Sequence, residues 1–192
     1  MTDVFEDAAT DQIDALDIVF NPKSVAVMGV TTSGGTVPYD IFNNILDSGY
    51  KGVLYPVAPG KRSIHGVKAY RYLTDIEDDV DLAVIVFPAS VCERAIEHCA
   101  RKNVKGVIII SAGFREVGPE GVKREQRVRR MCIDNNISLI GPNCLGMINT
   151  DPKTVLNASF ARKMPDQGRI AFLSQSGALC TAVLDYARGK KI

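Results

Sequence analysis

The stretch DLAVIVFPASVCERAIEHCARKNVKGVIIISAG, residues 81–113, contains two apolar runs separated by an amphipathic segment. The runs at 81–88 and 106–113 are rich in Val, Ile and Leu without polar alternation, which is typical of strands buried on both faces. The segment from Ser90 to about Lys102 has a helical period. A strand, a helix and a strand joined by short links predict a right-handed crossover between parallel strands.

Three more apolar runs and two more helical stretches continue this pattern on both sides. Strands are predicted at 24–30 (SVAVMGV), 52–57 (GVLYPV) and 137–143 (ISLIGPN), and helices near 38–48 and over about 120–135. Alternating strands and helices indicate the α/β class. The prediction is a Rossmann-like, doubly wound parallel sheet of five main strands, in a domain that spans residues 20–146.

The remaining sequence divides into three parts. Residues 1–19 are predicted to be a short acidic N-terminal arm, and residues 147–168, which lack a clear period, a linker. In residues 169–192 a strand, the turn Ser174-Gln175-Ser176-Gly177 and a helix follow one another. This order predicts the start of a second α/β unit that the chain does not finish, so the chain is expected to be a truncated piece of a longer protein.

Composition and charge disfavour several classes of partner. The 192 residues include 23 Lys and Arg against 22 Asp and Glu, so no net charge favours nucleic acid or an anionic membrane. The basic run at 123–130 is interpreted as the solvated face of a helix. No apolar run approaches the ~20 residues of a membrane span, and the N-terminus does not resemble a signal peptide. A cytoplasmic location is expected.

Cysteine and histidine usage argues against metal, disulfide and nucleophile chemistry. The five cysteines are odd in number and form no CxxC pair, so neither a metal site nor a disulfide framework is predicted. Cys92 and Cys99 share one face of a predicted helix and are expected to be buried in apolar packing. A nucleophilic Cys144 is disfavoured because no histidine is placed as its base. His98 is expected to be a packing or surface residue, and His65 lies in a basic loop.

Ligands of doubly wound sheets bind across the carboxyl ends of the strands. The loop after the first strand, Gly29–Thr36 (GVTTSGGT), suits a phosphate at a helix N-terminus, although it is neither GxGxxG nor a P-loop. A plain connecting loop would fit as well. After the second strand, Lys61 and Arg62 stand where an NAD-binding domain has an acidic residue. These cations favour a phosphate on a ribose, as in CoA or NADP, and a solvated basic loop is the alternative.

Several strings occur in an order that resembles one family. They are NPKSVAVMGV at 21–30, YPV, SAGF, GPNCLGMINT, LNASFA and GRIAFLSQSGAL. Together they are similar to the CoA-binding domain of the NDP-forming acyl-CoA synthetases, the superfamily of the ADP-forming acetyl-CoA synthetases and the succinyl-CoA synthetase α-subunit. The first two loops, with Gly29-Val30-Thr31 and Pro59-Gly60-Lys61, resemble the succinyl-CoA synthetase form more than the ADP-forming acetyl-CoA synthetase form.

The resemblance implies a set of CoA-binding residues. They are Thr31, Thr32, Ser33 and Gly34 in the first loop, Lys61 as the partner of a CoA phosphate, Pro88, Ile110, Ser111 and Ala112 along the nucleotide or pantetheine path, and Asn143 and Cys144 near the thiol. It also implies that residues 169–192 begin a flavodoxin-like second domain similar to that of succinyl-CoA synthetase. In that domain Ser174, Gln175, Ser176 and Gly177 would form a helix N-terminus that binds the phosphate of a phosphohistidine. The alternative for this turn is an ordinary capped helix.

The same resemblance implies a reaction. Acyl-CoA, phosphate and ADP would give the free acid, CoA and ATP through an acyl phosphate and a phosphohistidine of the next domain. No histidine follows Cys99, so no catalytic residue is expected in this chain, and no turnover by it alone. CoA and a small carboxylic acid are the expected ligands. ATP or ADP with Mg would be bound by downstream domains or by a β-type ATP-grasp subunit, and an oligomer is left open.

Two other functions fit parts of this pattern. The same kind of domain is similar to the front of some protein acetyltransferases, where it would bind acyl-CoA as a sensor. An NADP-binding reductase domain would explain the basic second loop. The reductase is the weaker alternative, because the glycine fingerprint is missing and no catalytic Tyr-Lys pair is evident.

Overall fold

The computed structural model describes residues 16–190. Its strands are β1 Ser24–Met28, β2 Val53–Val57, β3 Ser63–Ile64, β4 Val67–Lys68, β5 Leu82–Ile85, β6 Gly106–Ile109, β7 Ser138–Ile140, β8 Gly146–Asn149 and β9 Leu156–Ser159. The helices that follow β1 in the chain are α1 Val37–Asp47, α2 Ala89–Arg101, α3 Pro119–Asp134 and α4 Gly177–Lys190, and single 3₁₀ turns occur at Leu73–Asp75 and Arg115–Val117. The first three helices begin and end within one residue of their predicted bounds.

Five strands form one parallel sheet in the order β2-β1-β5-β6-β7. The chain moves outward from β1 to β2 and then crosses back to β5, so the switch point lies between β1 and β5. Helix α1 covers one face, whereas α2 and α3 cover the other. This arrangement confirms the predicted doubly wound α/β fold. It also places the carboxyl ends of all five strands at one edge, the carboxyl edge.

Each face of the sheet has its own apolar core. In β1, Ala26 and Met28 belong to the core under α2 and α3, whereas Val25 and Val27 belong to the core under α1. Successive strand residues point to opposite faces, so a central strand between two helical layers needs apolar residues on both faces. Every residue of β1 is buried, which explains the unbroken apolar runs in the sequence.

The structure corrects the first part of the predicted linker at 147–168. Residues 146–159 form the antiparallel hairpin β8–β9, whose apolar side chains join the core beside α1. The side-chain amide of Asn44 in α1 donates to the carbonyl oxygens of Ser159 at 2.8 Å and of Ala161 at 2.9 Å. The hairpin covers an apolar side of α1, so the chain up to Ala161 packs with the sheet domain.

The strand predicted at the start of the second unit is not formed. Residues 170–173 have no strand assignment, and the exposed fraction is 78% for Ile170 and 98% for Leu173. An apolar run becomes a strand only beside another strand, and no strand within residues 16–190 pairs with this segment. Helix α4 is formed as predicted, although none of its residues is buried. The second unit stays a prediction.

The structure describes only the last four residues of the predicted N-terminal arm, 16–19, and they are not a free arm. Residues 1–15 lie outside the described part of the chain. Residues 16–20 are helical, and Val19 is fully buried. A Cβ atom on Gly106 would lie 2.6 Å from Val19 Cγ2, so the close approach of this helical segment to β6 requires glycine there. The segment therefore packs on the sheet.

Three of the five basic residues in the run at 123–130 on α3 pair with nearby carboxylates. Lys123 pairs with Glu120, Arg127 with Glu93, and Arg130 with Asp134, at nitrogen–oxygen distances between 2.7 and 3.2 Å. Such surface pairs contribute little to stability, and they agree with the interpretation of a solvated helix face. None of the helices in the described part of the chain is long and apolar enough to cross a bilayer.

Three thiols are shielded from solvent, as predicted for Cys92 and Cys99. Cys92 and Cys99 are fully buried and Cys132 is almost so. Burial raises the pKa of Cys92 and of Cys132 to about 11, and it also raises the pKa of Cys99. These thiols therefore stay protonated and inaccessible at neutral pH.

A maleimide reagent at neutral pH should leave these three cysteines unlabelled in the folded chain, because the accessible thiolate is the reactive form. Cys180, half-buried on α4, should be labelled first. Mass spectrometry of the tryptic peptides would identify the labelled positions, and in denaturant all five cysteines should react. Rapid labelling of Cys99 in the folded chain would contradict the described packing.

Candidate functional site

One loop follows each strand of the sheet at the carboxyl edge. The loops are residues 29–36 after β1, 58–62 after β2, 86–88 after β5, 110–114 after β6 and 141–145 after β7. Because the strands are parallel, Thr31–Gly34, Lys61, Pro88, Ile110–Ala112 and Asn143–Cys144 all lie along this one edge. Their contacts with a ligand remain predictions.

The first loop is closed by its own hydroxyl groups. Thr36 Oγ1 donates to the carbonyl oxygen of Ser33 at 2.8 Å, so the 3.0 Å contact between the Thr31 and Thr36 hydroxyls uses the proton of Thr31. Gly29 has a φ of +104°, and a Cβ atom there would lie 2.9 Å from Phe87 Cδ1. Thr32 is exposed, as are Ser33 and the glycine after it.

Helix α1 begins directly after this loop. Its second residue, Pro38, has no N–H group, and the N–H of Asp40 bonds to the Thr36 carbonyl at 2.9 Å. The N–H groups of Val37 and Tyr39 have no hydrogen-bond partner within residues 16–190. Free donors at the positive end of a helix dipole favour an anion. The loop and the helix start therefore form an anion-binding geometry.

The second loop is a tight turn that presents cations. The N–H of Lys61 bonds to the Ala58 carbonyl at 3.1 Å, and Gly60 has a φ of +82°. Pro59 and Gly60 in the middle of this turn are typical of type II. Lys61 and Arg62 are exposed beside the carboxyl edge.

The other three loops are joined by hydrogen bonds. Ser111 Oγ donates to the carbonyl oxygen of Phe87, and the N–H of Asn143 donates to the carbonyl oxygen of Ser111 at 3.1 Å. The Cys144 thiol donates to the Ile109 carbonyl at 3.4 Å. Burial raises the pKa of Cys144, although backbone hydrogen bonds oppose the effect. The thiol is therefore protonated at neutral pH, which does not favour a nucleophilic role.

A cleft of about 170 Å³ opens beside the carboxyl ends of β1, β2 and β5. Its walls are mostly apolar and come from β1, β2, the first 3₁₀ turn, the loop after β5, and α2: Met28, Val57, Leu73, Phe87, Val91 and Ala95. Pro59 of the second loop lines it as well, together with four polar or charged side chains: Arg71, Tyr72, Arg94 and His98. The cleft lies at the switch point, where doubly wound sheets bind ligands.

The polar side of the cleft is a feature of the candidate site that the sequence did not predict. The rings of Tyr72 and His98 are parallel, with centroids 5.6 Å apart, and the Arg71 guanidinium lies 5.2 Å from the Tyr72 ring. His98 Nδ1 is buried without a hydrogen-bond partner in the described structure. Arg94 and His98 are four residues apart on α2, so they lie on the same face of the helix. That spacing could have predicted from the sequence that the two side chains are neighbours.

The turn Ser174–Gly177 has features of an ordinary capped helix and features of an anion-binding helix N-terminus. Ser176 Oγ accepts the N–H of Leu179 at 3.3 Å and its carbonyl accepts that of Cys180 at 3.0 Å, so Ser176 caps α4. The N–H groups of Gly177 and Ala178 have no partner within residues 16–190. The turn is therefore a capped helix start with two free donors, and phosphate binding stays a prediction.

This turn lies against the loop after β7. A Cβ atom on Gly177 would be 3.6 Å from the Cβ atom of Leu145, which is ordinary contact distance. Leu145 directly follows Asn143 and Cys144. The two predicted sites, one for the CoA thiol and one for a phosphate, are thus neighbours in the structure.

Comparison with known proteins identifies the family. Residues 23–150 match the family described as CoA binding domain. The chain is 42% identical to the 4-hydroxybutyrate–CoA ligase (ADP-forming) of Nitrosopumilus maritimus, over 91% of this chain and 25% of that protein. It is 41% identical to the alpha subunit of acetate–CoA ligase (ADP-forming) I of Pyrococcus furiosus, over 93% of this chain and 39% of the subunit.

Solved structures agree with these relatives. A protein of Pyrococcus horikoshii superposes with a TM-score of 0.87 at 40% identity, over 92% of this chain and 40% of that one. The dinucleotide-forming acetyl-coenzyme A synthetase 1 of Ca. Korarchaeum cryptofilum, in complex with phosphate and ADP, gives 0.85 at 34% identity, over 92% and 37%. The chain spans between a quarter and two fifths of the length of these proteins. It belongs to the CoA-binding domain family, and it is similar over most of its length to part of the ADP-forming CoA ligases.

Proposed function

We propose that this chain binds CoA along the carboxyl edge, as the CoA-binding portion of an ADP-forming acid–CoA ligase. The observation that carries the proposal is the convergence of two anion-binding loops and an apolar cleft at the switch point. CoA needs the same combination, because it has a flat aromatic base, three phosphates and a long neutral arm.

The cleft suits the adenosine end of CoA. Its apolar walls can bury a planar base, and the guanidinium groups of Arg71 and Arg94 can stack on the base or pair with a phosphate. Lys61, which ends the tight turn that contains Pro59 of the cleft wall, is the proposed partner of a CoA phosphate. The pyrophosphate is assigned to the first loop, Thr31–Gly34, and the free N–H groups at the start of α1.

The pantetheine arm then runs along the remaining loops. Pro88 and Ile110–Ala112 form its proposed path, and Asn143–Cys144 lie near the thiol. The proximity of Gly177 to Leu145 supports a binding site for a phosphoryl group beside that thiol. Such a neighbourhood suits an acyl phosphate, in which the acyl carbon is attacked by the CoA thiol and phosphate leaves.

The complete reaction is proposed from the relatives. Acyl-CoA, ADP and phosphate give the acid, CoA and ATP, with the phosphoryl group passed through a histidine of a further domain. The proposed ligands are CoA and a small carboxylic acid. Nucleotide and Mg are assigned to further domains or to a β-type ATP-grasp subunit, and the protein to the cytoplasm.

Calorimetry of the 192-residue chain with CoA, dephospho-CoA and NADP tests the proposal. CoA should bind most tightly, because only CoA has both the 3′-phosphate and the pantetheine arm. Dephospho-CoA should bind more weakly, since one charge-assisted contact is lost. Tighter binding of NADP than of CoA would overturn the assignment and favour a reductase domain.

A further inference from the structure

Two charged side chains hold the peptide groups of Gly113 from opposite sides. The Glu116 carboxylate accepts the N–H of Gly113, and it accepts the N–H of Phe114 at 3.1 Å. The Arg124 guanidinium donates to the carbonyl oxygen of Gly113. We call Glu116 and Arg124 the Gly113 clamp. Both contacts are charge-assisted and are therefore stronger than bonds between neutral groups.

The clamp acts on a segment that ordinary secondary structure does not hold. Gly113 has a φ of +105°, and a Cβ atom there would lie 2.9 Å from Ala89 Cβ, so glycine is required. β6 ends at Ile109, and the next 3₁₀ turn begins at Arg115. Phe114 is fully buried and anchors the far end of the segment. The clamp supplies backbone partners between these two fixed ends.

The same segment connects three loops of the carboxyl edge. Ser111, two residues before Gly113, bonds through its hydroxyl to Phe87 and through its carbonyl to the N–H of Asn143. A change in the peptide plane of Gly113 would rotate Ala112 and shift Ser111. The hydrogen bonds that join Ser111 to the loops after β5 and β7 would then be weakened.

We infer that Glu116 and Arg124 are positioning residues that hold the Ser111–Gly113 segment in the conformation that accepts the pantetheine arm of CoA. This inference rests on the proposed function. It assigns neither residue to direct contact with CoA. It predicts that the clamp matters for the arm of the ligand and much less for its nucleotide end, which lies at β1 and β2.

The charge state of Glu116 fits this role. Burial alone would raise the pKa of Glu116, but the N–H groups of Gly113, Glu116 and Phe114 outweigh it and hold the pKa below the ordinary value. The carboxylate is therefore charged throughout the neutral range. Its hold on the segment is lost only when the pH falls through this lowered pKa.

The test compares two ligands on the variants Glu116→Gln, Glu116→Ala and Arg124→Met in the full 192-residue chain. CoA carries the pantetheine arm, and adenosine 3′,5′-bisphosphate lacks it. Each variant should weaken CoA binding by about tenfold, because losing a charge-assisted bond of the clamp lowers the fraction of chains whose segment has the binding conformation. Binding of the bisphosphate should change by less than about twofold, and hydrogen exchange at Gly113 and Phe114 should be faster in the Glu116 variants.

Glu120→Gln is the matched control, because Glu120 lies on α3 like Arg124 and, within residues 16–190, pairs only with the exposed Lys123. It should leave both affinities unchanged. Equal weakening of both ligands by the clamp variants, or no weakening of CoA, would overturn the positioning role. Failure of the wild-type chain to bind CoA at all would instead overturn the proposed function, and the inference with it.

Discussion

Lys61→Ala should weaken CoA binding by about 10–150-fold, because a hydrogen bond to a charged group contributes about 1.5–3 kcal/mol. Lys61 is held at the end of a tight turn by its own N–H bond to Ala58, so the alanine variant keeps the backbone of the loop. Pro59 of the same turn forms part of the cleft wall. Titration calorimetry at fixed, low salt measures the change.

Lys51→Ala is the control for this experiment. Lys51 is as exposed a lysine as Lys61, but it precedes β2 and therefore lies at the opposite edge of the sheet. Both variants lose one positive charge, so any general effect of net charge on an anionic ligand is the same for the two. Equal loss of affinity in both would show that Lys61 makes no specific phosphate contact.

Gly121→Ala should destabilise the domain, although alanine is normally the better helix former by about 0.8–1 kcal/mol. A Cβ atom at Gly121 would lie 1.7 Å from the carbonyl oxygen of Phe114. That oxygen cannot move freely, because the Phe114 ring is fully buried and its N–H is bonded to Glu116. The clash can be relieved only if α3 moves away from the 3₁₀ turn at Arg115–Val117. Such overpacking typically lowers the free energy of unfolding by about 1–3 kcal/mol or more.

Chemical denaturation followed by circular dichroism would measure this loss. Gly189→Ala is the matched control, since Gly189 also lies in a helix but has no atom within 4 Å of its Cβ position. That variant should be neutral or slightly stabilising. A rise in the free energy of unfolding for Gly121→Ala would show that α3 does not approach Phe114 this closely.

Burial on both faces made the central sheet predictable from sequence. A parallel strand between two helical layers has to be apolar throughout, and its following helix has to be amphipathic, so β5, α2 and β6 could be located in the stretch 81–113 alone. The carboxyl edge then followed from the topology, and with it the loops that contain Lys61, Ser111 and Asn143.

Features that depend on partners distant in sequence were not predictable in this way. The β8–β9 hairpin has short strands whose pairing is decided by the helix that they cover, and residues 170–173 have a strand-like composition without a strand beside them. The cleft combines Arg71 with His98, which come from separate elements. The Gly113 clamp likewise joins residues whose roles only appear once α3 is placed against the loop.

The hairpin also determines where this domain could be cut from one protein and joined to another. A graft that ended at residue 146 would lose the strands that cover Ile41 and Phe42 of α1, and it would lose both acceptors of the Asn44 amide. The uncovered apolar surface would favour aggregation. The carbonyl of Thr154 further accepts the N–H of Lys51 at 3.1 Å, just before β2. A transferable unit should therefore keep the chain through Ala161, and the following segment, with its exposed Leu173, is the better place for a junction.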